Sequence, residues 1–206
     1  MKPRFAIALR ASVALGFLML GGCASTLPTH YHTLLGAAAE GATSSAPASF
    51  LIDVQPVGIP AQVDRPQLVV RDGGGMTPLE QERWIAPLAD EARTALSTEL
   101  SRELATTDAA GQPRPGGAKV VTIKVDLRRF DSVAGAYVAI DAVWSLSTND
   151  PNAKVLVCAS EARESVDPGY DELVQGHRRA LSAIASRIAS AARGYAAAGK
   201  GACPAN

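Results

Sequence analysis

Aromatic residues make up only 5% of this chain, and cysteine occurs three times in 206 residues. Thiols at positions 23, 158 and 203 are too few for a disulfide-built scaffold and too scattered for a zinc site. Charge of one sign is also missing as an excess, since 20 Lys and Arg balance 20 Asp and Glu. Without a basic block, the chain lacks the cluster that meets phosphates, which argues against nucleic-acid binding. The apolar run from Ala11 to Leu20 is shorter than the ~20 residues that span a bilayer. No Gly-x-Ser-x-Gly elbow occurs, and Gly73-Gly74-Gly75 is followed by neither a P-loop lysine nor a dinucleotide pattern. No cofactor is indicated. What is present is 47% hydrophobic content, enough for one real core in one domain or at most two.

The first residues read as an address. Lys2, Arg4 and Arg10 form a positive start, an apolar stretch follows, and Leu20-Gly21-Gly22 precede Cys23. This order resembles the lipobox of bacterial lipoproteins. The resemblance implies a signal peptide over 1–22 and an acylated Cys23 as the first mature residue. Each buried CH₂ of the acyl chains would contribute about 0.8 kcal/mol, and several chains make such anchoring effectively permanent. Ala24 and Ser25, with no Asp after the cysteine, resemble the signal for the outer membrane, with the chain on its periplasmic face. Removing Lys2, Arg4 and Arg10 leaves 17 basic against 20 acidic residues, a net of −3. Membrane attachment therefore rests on lipid, not on a polybasic surface.

Periodicity organises the rest. Residues 36–49 are small and polar and read as a flexible connection; with the lipidated start and the short His30–Leu35 strand they make up 23–49. A domain over 50–198 and a tail over 199–206 follow. Phe50–Val57 is a candidate strand that Pro56 and Pro60 confine to an edge or end. Leu68–Arg71 is another, before the turn at Asp72–Gly75. Residues 86–104 predict a helix with Leu88, Ala92, Leu96, Leu100 and Leu104 on one stripe and Pro87 in its first turn. Lys119–Phe130 and Ala136–Leu146 alternate as strands with one wet face. In Lys154–Arg163 the inward set is undecided between Val155/Val157 and Leu156/Cys158. A last helix, about 170–195, carries Tyr170, Leu173, His177, Leu181, Ile184, Ile188 and Tyr195 as its stripe. The expected fold is α+β, a single domain with a mainly antiparallel sheet and two long helices packed on one face.

The reactive side chains form no evident catalytic set. His30 and His32 alternate on a strand, but neither a carboxylate nor a third His stands at a metal-ligand spacing. His177, on an apolar stripe, reads as a core residue rather than a catalyst. Glu161 and Glu164, three apart, point to different faces. Cys158 and Cys203 form either a disulfide, allowed in an oxidising envelope, or two free thiols.

Several stretches together resemble the PqiC-type family of ABC-type transport auxiliary lipoproteins. They are Tyr31-His32-Thr33-Leu34, Val54–Pro60, Val63–Arg71 with its Asp64-Arg65-Pro66-Gln67, Arg83-Trp84-Ile85-Ala86-Pro87-Leu88, Val143–Leu146, and His177–Leu181 leading to Arg187–Ala189. His32 stands where the family has tyrosine, and Ile85-Ala86 where it has Ala-Glu. The resemblance implies a non-catalytic subunit of a lipid-transport system. It would bind a periplasm-spanning MCE-domain protein, itself paired with an inner-membrane permease. It would tie that protein to the outer membrane and support envelope integrity. It also implies self-association into a homo-oligomer. Residues 60–87 have two readings. Arg65 and Arg71 either bond groups within the fold or face a partner, and Trp84 either covers a helix end or anchors an interface. A structural envelope lipoprotein, a lipid carrier and an enzyme are the rival classes.

Overall fold

The computed structural model describes residues 27–36 and 46–205. Cys23 and most of the small-residue connection lie outside them. Nine elements follow in order: β1 (His30–His32), β2 (Leu51–Val54), β3 (Gln67–Asp72), β4 (Gly75–Trp84), α1 (Leu88–Leu104), β5 (Val120–Val133), β6 (Tyr137–Thr148), β7 (Leu156–Ser165) and α2 (Tyr170–Ala198). The fold is α+β and mainly antiparallel, but its strands divide into two sheets, β1-β4-β3 and β2-β5-β6-β7. The pairs β1·β4 and β2·β5 are parallel. The prolines after β2 act as expected, since β2 ends at Val54 and is an edge strand.

The β5–β6–β7 meander forms as its alternation predicts. Val121, Ile123, Val125 and Leu127 are buried between exposed Lys124 and Arg128. A bulge between Leu127 and Arg129 then shifts the register. Beyond it Phe130 and Ser132 reach His177 of α2, while Asp131 meets Arg71 of the other sheet. One extra residue in β5 thus lets a single strand serve both sheets.

In β7 the undecided inward face is Cys158, Ser160 and Ala162, with Val155 and Val157 exposed. Two local bonds decide it. Ser160 Oγ accepts from Trp144 Nε1 at 3.0 Å, and Cys158 is bonded to Cys203. The free edge of β7 is covered from α2, where Arg187 donates to Glu161 O (2.8 Å) and Arg179 to Ser165 O (3.0 Å). Capped edge carbonyls discourage pairing with another chain.

Both helices keep their predicted stripes with two changes. Pro87 is the residue before α1, not its first turn; its carbonyl accepts from Asp90 and Glu91 while its extended ψ of 134° ends the preceding chain. Tyr170 begins α2 but is 40% exposed, because the sheet lies beneath Leu173 and the residues after it. Gly176 is where α2 comes closest. A Cβ there would lie 2.5 Å from Val166 Cγ1 and 3.0 Å from Val138 Cγ2.

Strand β4 has no counterpart in the sequence reading. Its sequence, Gly-Met-Thr-Pro-Leu-Glu-Gln-Glu-Arg-Trp, shows no apolar alternation. It is held as the central strand of its sheet and by the hairpin at Gly73-Gly74, both with positive φ. That conformation suits glycine and matches a two-residue hairpin turn.

Residues ahead of position 50 also belong to the folded body. Leu34 is buried, and Glu91 of α1 accepts from Leu34 N (2.7 Å) and Thr33 Oγ1 (2.6 Å). Arg178 of α2 donates to Thr33 O at 2.8 and 3.2 Å. The Tyr31-His32-Thr33-Leu34 stretch is therefore a clamp between both helices and β4.

Candidate partner-binding groove

The Asp64-Arg65-Pro66 segment is shaped by its own backbone. Val63 and Asp64 donate to Pro60 O, and Arg65 N donates to Val63 O at 2.9 Å. Buried Val63 pins this turn, and Pro66 holds the residue before it extended. Pro66 O accepts from Trp84 N (2.8 Å), and His32 O accepts from Ile85 N (2.8 Å). The end of β4 is thereby fixed between two neighbouring segments. Between residues 64–66 and 84–88 lies a mostly apolar groove of about 390 Å³.

The two sequence readings of this region divide among its residues. Trp84 is buried and forms the floor, edge-on to Phe130 with ring centres 6.2 Å apart. Arg71 is structural. It donates to Asp131 Oδ1 at 2.8 Å, which joins the two sheets and raises the guanidinium pKa above its ordinary value. Arg65 is exposed at the groove wall, and its side chain makes no hydrogen bond or ion pair to the described residues. Ile85, missed in the sequence reading, is 61% exposed at the groove. Its signal was available: a large apolar residue stands where the family motif carries alanine.

The histidines are accounted for elsewhere. Glu82 uses one oxygen for His30 Nδ1 (3.0 Å) and the other for His32 Nε2 (2.5 Å), and Asp171 lies 3.4 Å from His32 Nδ1. Here tertiary structure supplies the carboxylate that sequence spacing lacks. The carboxylate is spent on tying β1 to β4, and no group among the described residues could hold a metal ion. His177 is fully buried, 2.8 Å from Ser132 Oγ and stacked on Phe130. Desolvation lowers its pKa from 6.5 to about 3, so at neutral pH it is an uncharged, inaccessible ring. Its Nδ1 has no partner among the described residues.

The family model of the ABC-type transport auxiliary lipoprotein component matches residues 32–189. The chain belongs to this family. Its members are auxiliary lipoprotein components of ABC-type transport. Solved structures share the fold of this auxiliary lipoprotein. An uncharacterised protein is 19% identical, with a TM-score of 0.62 over 80% of this chain and 98% of its own. A DUF330 protein from Xanthomonas campestris is 14% identical, with a TM-score of 0.56 over 70% of this chain and 84% of its own. No curated protein matches the chain.

Proposed function

We propose that this auxiliary lipoprotein holds an MCE-domain periplasmic protein, and through it an inner-membrane permease, at the outer membrane. The observation that carries the reading is the groove. Arg65, without a partner among the described residues, and an exposed Ile85 flank a buried Trp84 floor, within two of the family's own motifs. Aromatic and arginine anchors beside apolar surface are what protein interfaces use for most of their energy. The acylated Cys23 supplies the membrane end. The partner is recognised by Arg65 and Ile85, with Trp84 as support and Arg71 holding the two sheets in register. Residues 1–22 are removed, the folded body extends to the tail at 199–206, and the whole serves envelope integrity without catalysis.

The test is a pull-down of tagged full-length protein from gently solubilised envelopes, beside Cys23→Ala and the pair Arg65→Glu with Ile85→Asp. The expected result is an MCE-domain protein with the wild type and its loss with the groove pair. Recovery of cell-wall or assembly components alone would overturn the tether and favour a structural envelope lipoprotein.

A further inference from the structure

From Cys23 to Leu27 the chain advances four residues. At ~3.5 Å per residue this reaches at most ~14 Å. The folded body cannot lengthen that leash cheaply. Beyond Leu27, β1 is paired to β4, Glu82 takes both histidines, and Glu91 and Arg178 grip Thr33 and Leu34. Whatever surface surrounds Leu27 is therefore held close to the lipid.

That surface combines an exposed leucine with two exposed tyrosines. Leu27 is 70% exposed, Tyr31 61% and Tyr170 40%. Tyr31 and Tyr170 share an open recess of about 650 Å³ with Thr29, His30, His32, Glu82 and Asp171. Tyr170 is also the stripe residue of α2 that the core leaves out. Tyrosine suits a membrane–water boundary, where its ring meets apolar matter and its hydroxyl stays wet. Among the described residues no Lys or Arg lines the recess, its carboxylates are Glu82 and Asp171, and both histidines are bonded to Glu82. Phosphate attraction is thus not what would hold it.

We infer that Leu27, Tyr31 and Tyr170 form a face that rests on the lipid surface carrying the anchor, setting the orientation of the domain. The occupant is a bilayer interface, chosen by the reach of the chain. The inference rests on acylation of Cys23, part of the reading above.

The acylated full-length protein is reconstituted in vesicles of phosphatidylethanolamine and phosphatidylglycerol with Tyr31→benzoylphenylalanine, Tyr170→benzoylphenylalanine or Val157→benzoylphenylalanine. Val157 is as exposed and apolar as Tyr31 but lies on β7, the far edge of the other sheet. After irradiation, intact mass reads both the acyl chains and any added phospholipid. The expected result is a shift of one phospholipid at positions 31 and 170 and none at 157. An acylated protein without lipid adducts at 31 and 170, or with protein adducts there instead, overturns the face while leaving the anchor. Equal adducts at all three positions also overturn it. An unacylated Cys23 overturns anchor and face together.

Discussion

Phe130 lies flat against His177, the ring centres 3.8 Å apart and the planes 7° from parallel. Trp84 meets Phe130 edge-on, so a histidine inside the protein packs behind the floor of the surface groove. The histidine must stay neutral to remain there, because its charged form has no solvent.

Stability should therefore fall with acid. The folded pKa of His177, about 3, lies below the unfolded value of 6.5. Between those values the unfolded chain binds the extra proton. Stability contributed by the neutral ring is full above pH 6.5 and drains as pH falls toward 3, by up to about 1.4 kcal/mol per unit. Urea titrations across this window should show the slope in the wild type. The double change His177→Phe with Ser132→Ala should flatten it, and an unchanged slope would assign the acid sensitivity to other groups.

Glu91→Ala should release the N-terminal clamp. It leaves Leu34 N–H buried without its acceptor, at a cost of about 1–3 kcal/mol. Amide exchange over residues 30–34 should accelerate more than exchange in β6. Uniform acceleration would mean that the segment opens only with the whole domain.

Gly176→Ala should destabilise the protein although alanine favours helices. The helix gains about 1 kcal/mol, but overpacking against two stiff valines costs about 1–3 kcal/mol. Thermal denaturation checks the sign, and a stabilised variant would show that α2 can shift freely on the sheet.

The Cys158–Cys203 bond encloses a separation of 45 residues. Cys203→Ser should lower stability by about 3–4 kcal/mol on chain-entropy grounds. The comparison is urea unfolding of both proteins with and without reductant. Reductant should bring the wild type to the variant's midpoint and leave the variant unmoved.

Arg65→Glu and Ile85→Asp should leave the melting temperature almost unchanged, since both side chains are exposed. Trp84→Ala should destabilise the fold by about 3–5 kcal/mol, as expected for a buried aromatic. Partner capture lost in the first two without loss of fold identifies contacts, whereas a fold defect in them would return those residues to the structural class.

Much of the architecture is legible where a segment writes its own period. The stripes of α1 and α2 and the alternation of β5 and β6 are local patterns, and each becomes the element it describes. β4 is invisible by the same criterion. Glu80, Gln81 and Glu82 would not choose a strand alone, and only pairing to β1 and β3 makes them one. The inward face of β7 is open in the sequence because Leu156 and Cys158 are no more apolar than Val155 and Val157. A disulfide and a tryptophan hydrogen bond outweigh hydrophobicity there.

By itself the sequence determined the α+β class, the family and the helix stripes, because periodicity and motifs are carried by neighbours along the chain. Tertiary structure alone decided which arginine is a latch and which has no partner among the described residues. It also decided that two histidines share one carboxylate and that Ile85 stands at a groove. The arginine and histidine bonds join groups fifty or more residues apart, and the groove joins two segments of the chain that only folding brings together.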